Sequence, residues 1–325
     1  MTNYRNVKYK IPTLNLDGTT EASPVEGEIW YDSGKFYLGT SQTFSGVWST
    51  GGNLSTGRSA GGGFGTQTAA VYAAGNNTGD ASGYVTTTEE YDGTSWSSGG
   101  AMSSARSLAA PGGTQVAGFM AAGRSAGYLD TTEEYNGTAW SSGGSVSTAR
   151  GYLAGAGTLS AGLCMGGWLG SNSNETEEYD GSSWSSGGNL ATARHGLAGC
   201  GTQTAALSMA GNVSDVAQNM TEEYNGTAWS AGGNVILARW YLSAAGTQSA
   251  AINFGGGSPN DSTEEYDGSA WSAGGDLVTG TFNMGGAGTL AAGLGMGGDV
   301  ALVVTQEYDP ETGSYDELFH AIGGL

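Results

Sequence analysis

Basic residues are scarce in this chain: ten lysines and arginines stand against thirty aspartates and glutamates over 325 residues, a formal charge of -20. So acidic a surface repels phosphate backbones and anionic headgroups, which argues against nucleic acid and against membrane insertion. Long apolar runs are missing too. No stretch of eighteen apolar residues occurs and the opening Met1-Thr2-Asn3-Tyr4-Arg5 is polar, so neither a membrane span nor a signal peptide is expected. The two cysteines, Cys164 and Cys200, fall at unlike phases and read as small buried apolar residues, with a disulfide as the alternative. His195 and His320 are the only histidines and neither has a partner nearby in sequence, so no metal spacing and no cofactor is read.

Glycine, by contrast, is abundant at 61 residues, and its spacing is regular. One phrase recurs: an acidic pair and tyrosine, a turn dipeptide, a tryptophan, a glycine pair and an arginine. The clearest copy runs Thr132-Glu133-Glu134-Tyr135-Asn136-Gly137-Thr138-Ala139-Trp140, then Gly143-Gly144, then Arg150. Trp48, Trp96, Trp140, Trp184, Trp229 and Trp271, with Tyr315 in the next slot, lie 42 to 48 residues apart. That is the period of a four-stranded propeller blade, so the fold expected is all-β, a β-propeller of four-stranded antiparallel blades.

Within one copy, Gly151-Tyr152-Leu153-Ala154-Gly155-Ala156 reads as a first strand, 161–165 as a second, 175–179 as a third and 183–187 as a fourth. Asp92-Gly93, Asn136-Gly137, Asp180-Gly181, Asn225-Gly226 and Asp267-Gly268 suit a type I′ hairpin turn. First and second strands are rich in alanine and glycine, which fit where backbones converge on an axis. The 314–319 segment reads as the fourth strand of the last copy, which makes the Trp48 strand surplus to six blades. Seven blades are therefore expected, with six plus a separate N-terminal arm as the alternative. The chain divides into an arm or docking segment, 1–24, and a propeller, 25–325, with clear repeats from about residue 44.

Strand alternation sends one glutamate of each pair into a blade interface, where a carboxylate needs a partner. Arg58, Arg106, Arg150, Arg194 and Arg239 precede Glu89, Glu133, Glu177, Glu222 and Glu264 once per repeat, so structural ion pairs are expected, with metal-binding carboxylates as the alternative. In the last copy Gly280 is read at the arginine position and Gln306 at the glutamate; both charges vanish together.

Strand parity puts the second-to-third loop and the link to the next blade on one face, and the other two turns on the opposite face. The opposite face carries nearly unchanging Gly-Thr-Gln and Asp-Gly turns; the first carries what differs between copies. The binding candidates there are Tyr84, Tyr128, Trp168, Ser171, Ser173, His195, Trp240, Tyr241, Asn260 and Phe282. Aromatic rings among amides and hydroxyls are what a sugar-binding surface uses. Catalysis is not expected. Half the basic residues occupy the periodic slot, only Arg124 lies in a variable loop, and a carboxylate pair repeated in five copies belongs to a scaffold.

The glycine pairs Gly166-Gly167, Gly255-Gly256 and Gly297-Gly298, followed by tyrosine and tryptophan and then arginine, resemble the kelch repeat over about residues 44 to 325. Ala122-Gly123 and Ala210-Gly211 depart from it, as does the shorter turn between tyrosine and tryptophan. The wording Glu89-Glu90-Tyr91-Asp92-Gly93-Thr94-Ser95-Trp96 and Ala198-Gly199-Cys200-Gly201-Thr202-Gln203 is similar to the glycine-rich kelch-like tail-fibre and virion proteins of marine tailed bacteriophages. Val25-Glu26-Gly27-Glu28-Ile29-Trp30-Tyr31-Asp32-Ser33 is similar to segments of phage tail-fibre proteins. The resemblance implies a virion protein, at the tail or surface and assembled in the host cytoplasm. It implies recognition of a host-surface glycan or protein, or else a purely structural role as tail or capsid decoration. Arg5, Lys8 and Lys10 form a small basic cluster suited to docking on other virion or tail proteins.

Overall fold

The computed structural model describes residues 29–32 and 35–38 by their backbone, and 46–77, 83–257, 260–300 and 302–309 with side chains. The expected arm at 1–24, with Arg5, Lys8 and Lys10, and the strand expected at 314–319 lie outside the described residues. The chain separates into two units, Met1–Ser45 with Glu311–Leu325, and Gly46–Pro310. In the first, Ile29–Asp32 and Lys35–Leu38 form an antiparallel hairpin with Ile29 opposite Leu38 and Asp32 opposite Lys35.

The second unit is a β-propeller of six four-stranded antiparallel blades, and the described residues contain no helix. Six, not seven, follows from how the ring closes. The last blade takes three strands from the C-terminal part, Gly285–Thr289, Ala292–Met296 and Thr305–Asp309, and its fourth is Val47–Thr50. Tyr308 stands opposite Trp48 there, the pairing that Tyr135 makes with Trp140 inside blade 2. The Trp48 strand is thus not surplus; it joins the two ends of the array.

Blades are numbered 1 to 6 from the first strands Gly62–Thr66, Ala110–Thr114, Ala154–Thr158, Ala198–Thr202, Ser243–Thr247 and Gly285–Thr289. These inner strands touch their neighbours around the whole ring, which is why they are built of alanine and glycine: a Cβ on Gly155 would lie 2.2 Å from the Pro111 carbonyl oxygen of the preceding blade. Blade 3 begins at Ala154, not at Gly151. Residues 151–153 belong to the link, where Gly151 bridges to Trp168. The Asp-Gly turns differ from type I′ as well. Only the glycine has positive φ (Gly93, 91°), and Asp92 Oδ1 accepts from the amides of Thr94 and Ser95 at 2.8 and 2.7 Å, closing a four-residue Asx loop.

Nearly every word of the repeated phrase is a bond between blades. Each tryptophan Nε1 donates to the threonine opening the third strand of the preceding blade: Trp140 to Thr88, Trp184 to Thr132 and Trp96 to Thr305, at 2.8 to 2.9 Å. Each tyrosine hydroxyl donates to the second glutamate of the preceding blade, as Tyr224 to Glu178 and Tyr266 to Glu223, both 2.6 Å. The second glycine of each pair sits beneath the next blade's turn, where a Cβ on Gly144 would fall 2.4 Å from Ser182 O. On the copied face, Gln203 Nε2 donates to Gly162 O and Tyr179 O, at 3.0 and 2.8 Å, and Gln67, Gln115 and Gln248 make the same two-carbonyl clamp.

The first glutamates are buried and paired: Arg106–Glu133 at 2.9 Å, Arg150–Glu177 at 2.6 Å, Arg239–Glu264 at 3.0 Å, and likewise Arg58–Glu89 and Arg194–Glu222. Each carboxylate also accepts from an amide of the incoming link, Ser103 for Glu133 and Ser147 for Glu177. Burial alone would raise the Glu89 pKa, but the bonds from Ser55 and Arg58 hold it below the ordinary value. In blade 6 the arginine position is filled by Thr281 and not Gly280, since Thr281 O accepts from Gly256 N as Arg239 O does from Gly211 N. Gln306 replaces the carboxylate and satisfies the same link with neutral groups, accepting from Thr279 N at 2.9 Å and donating to Thr279 O at 3.0 Å. Cys164 and Cys200 are buried free thiols, each pushed up to about 12 by burial.

Candidate functional site

The link and the second-to-third loop do open on one face: Ser59 bridges Asn76, Ser107 bridges Arg124, Gly151 bridges Trp168 and His195 bridges Asn212. Two residues after each arginine position, the backbone turns left-handed. Ala60, Leu108, Tyr152, Gly196, Tyr241 and Asn283 have φ between 54° and 60°, five of them without glycine's freedom. Each amide donates to the carbonyl of the same residue one blade back: Leu108 to Ala60, Tyr152 to Leu108, Gly196 to Tyr152, Tyr241 to Gly196, Asn283 to Tyr241 and Ala60 to Asn283, at 2.6 to 3.0 Å. The six bonds form a closed ring around the axial mouth. A left-handed residue with a side chain costs about 1–2 kcal/mol relative to glycine, and Gly196 shows that glycine serves in this position.

Below the ring lies a cavity of about 140 Å³, lined by the ring residues and by Leu153, Leu197, Leu242 and Met284 behind them. Beside it the variable side chains converge. His195 is the hub: its ring centre is 5.0 Å from Trp168, 5.7 Å from Tyr152, 6.3 Å from Trp240 and 6.5 Å from Tyr241. Trp240 stacks on Tyr241 at 5.5 Å. Gly196 makes room for this, since a Cβ there would lie 2.9 Å from the Tyr241 ring. Asn172 Oδ1 lies 2.6 Å from His195 Nδ1, placing the imidazole proton on Nδ1 and leaving Nε2 to accept. Burial lowers the His195 pKa, so the imidazole is neutral near pH 7.

The patch continues in the other direction. Arg124 Nη1 donates to Tyr152 Oη at 2.9 Å and the guanidinium lies 6.0 Å from the Tyr128 ring centre. That bond to Tyr152 raises the Arg124 pKa, with smaller contributions from Tyr84 and Tyr128. Tyr241 is pushed up to about 12, first by burial, then by Tyr152, against Arg124, with Asp215 and Asp299 adding to the rise. One cation and two carboxylates therefore flank the aromatic arc.

Of the residues singled out by sequence, Trp168, His195, Trp240 and Tyr241 come together, and Tyr128 and Tyr84 extend the patch through Arg124. Ser171 lies exposed at the tip of its loop. Ser173 is buried and its hydroxyl accepts from Glu175 N. Asn260 meets the next link through its carbonyl, accepting from Thr281 N, and Phe282 does likewise for Asp299 N. Among the described residues no ring contact joins Phe282 to the arc. Sequence reasoning missed Asn172, Leu108 and Asn283; the one signal for the ring was Gly196, a lone glycine where the other copies carry side chains.

No protein-family model matches this chain, and no curated protein matches it.

Proposed function

We propose that this chain is a non-enzymatic binding propeller of a tailed-bacteriophage particle, carried at the tail or virion surface and touching the host envelope through its variable face. The observation that supports recognition is the gathering of Trp168, His195, Tyr152, Trp240 and Tyr241 from three consecutive links and one loop into one half-buried aromatic patch. That patch falls where the copies differ, while the residues they share are spent on bonds between blades. Rings of this kind stack on the apolar faces of sugars, or anchor a protein partner, with amides and hydroxyls completing the contact. The phage setting rests on the likeness of the repeat wording and of residues 25–33 to phage kelch-like and tail-fibre proteins. Cryo-electron tomography of intact particles, with the chain tagged at its C-terminus, tests the reading. A distal position with the variable face outward agrees with it. A closed lattice position, with that face covered by other virion proteins, favours pure architecture instead.

A further inference from the structure

The axial mouth is a second element of the same face, and its chemistry is more specific than that of an aromatic patch. Tyr152 and Tyr241 occupy two of the six left-handed positions, where Gly196 demonstrates that no side chain is required. Their ring centres are 6.0 Å apart and both line the cavity below. Ala60, Leu108 and Asn283 share this backbone, and what sets Tyr152 and Tyr241 apart is that they bring aromatic rings to the mouth; strained positions of this kind cluster at binding sites. The hydrogen-bonded backbone ring holds the two tyrosines in place before any ligand arrives, so little ordering is left to be done on binding.

The lining is mixed. Leu153, Leu197 and Leu242 are apolar, while Tyr152, Tyr241 and Asn283 carry polar ends, the Asn283 amide donating to Asp299 Oδ2 at 2.8 Å. Tyr152 Oη accepts from Arg124, which leaves its own proton to donate. Such a lining suits a ring with apolar faces and a hydroxylated edge. The size suits one such ring, since a space of about 150 Å³ admits a single six-membered ring. Charge decides between sugars. Asp215 and Asp299 both act on Tyr241 against Arg124, which is engaged with Tyr152, while Asp299 accepts from the Asn283 amide at 2.8 Å. A carboxylated sugar would meet net repulsion on a protein whose formal charge is already -20.

We infer that the axial mouth binds the terminal unit of an uncharged glycan, seated end-on against the packed pair Tyr152 and Tyr241, with Trp240 and Trp168 stacking on the units that follow. This rests on the variable face being the recognition surface.

The test uses the full chain, an array of bacterial surface polysaccharides, and in solution the methyl glycosides of neutral hexoses and of the corresponding uronic acids. Tryptophan fluorescence reports binding. Tyr152→Gly and Tyr241→Gly remove each ring while keeping the left-handed backbone that glycine accepts, and thermal unfolding verifies that both variants fold. The expected result is saturable binding of a neutral glycoside, at least tenfold weaker binding of its uronate, and at least a tenfold loss in either variant at unchanged stability. Uronates bound as well as neutral sugars, or no neutral saccharide bound at all, overturns the inference, as does binding confined to polypeptides. If both glycine variants bind normally while Trp168→Ala does not, the axial site falls and the recognition face stands. A chain that binds no host-envelope fraction of any kind removes the recognition reading itself.

Discussion

The two faces of this propeller use the same blades in opposite ways. On the copied face and in the blade interfaces, a residue type that recurs is one whose side chain bonds to its neighbour. Gln203 clamps two carbonyls, Trp184 reaches Thr132, and Arg150 meets Glu177. On the variable face it is the backbone that recurs. The ring through Ala60, Leu108, Tyr152, Gly196, Tyr241 and Asn283 forms with six different local sequences, because only amides and carbonyls take part. Side chains released from structural duty are free to differ, which is the freedom that the proposed recognition face requires.

The sharpest way to break this comparison is to remove a copied element outright. A chain starting at residue 51 lacks Val47–Thr50 and with it the Trp48 bond to Thr263 and the rings packed on Phe254 and Tyr308 at 4.8 and 5.1 Å. Cooperative thermal unfolding followed by circular dichroism should be lost, whereas a chain starting at residue 46 should keep it. Next in size is the ion pair. Arg106→Ala leaves Glu133 buried without its cation and should cost about 3–5 kcal/mol. The double change Arg106→Thr with Glu133→Gln copies the Thr281 and Gln306 solution of blade 6 and should recover most of that loss in denaturant titrations. No recovery would mean that blade 6 depends on some other compensation.

Alkali should weaken the tyrosine–glutamate contacts between blades. Tyr91, Tyr179 and Tyr266 are each pushed up to about 12, first by burial and then by their bonds to glutamates of the preceding blade. A phenol whose folded pKa lies above its unfolded value near 10 contributes stability that is fully present below pH 10 and is lost as pH rises through 12. Stability measured by denaturant titration should therefore be flat up to about pH 10 and fall between 10 and 12, in step with tyrosinate absorbance. A flat profile to pH 12 would remove the tyrosine–glutamate bonds from the account.

Much of this was legible in the sequence because the repeat states it six times. Period gave blade type, parity separated the faces, and the joint appearance of arginine and glutamate gave the pairs. Trp168, His195, Trp240 and Tyr241 were recognisable as one patch because consecutive copies place them on neighbouring blades. What escaped was non-local or confined to the backbone. Closure pairs Thr305–Asp309 with Val47–Thr50, a pairing of chain ends that no local pattern reports. The Tyr224 bond to Glu178 joins residues 46 apart, and either side chain alone reads as ordinary strand surface. The left-handed ring left almost no trace, since five of its six positions carry side chains that sequence rules assign to negative φ. The shift of the arginine position from Gly280 to Thr281 has a similar cause: with the charge gone, only the Thr281 carbonyl bond to Gly256 reveals the alignment.

The most direct measurement sets one face against the other in a single assay. Purified full chain, Trp168→Ala with Trp240→Ala, and Gln203→Leu with Gln248→Leu are compared for binding to host-cell surfaces and for thermal stability. Leu159 and Leu290 already stand in the glutamine position of blades 3 and 6, so the leucine pair should fold, lose about 0.5–1.5 kcal/mol for each clamp removed, and bind as the parent does. The tryptophan pair should keep its stability and lose about 1–3 kcal/mol of binding for each ring. Binding lost from the leucine pair and kept by the tryptophan pair would contradict the division of labour between the two faces.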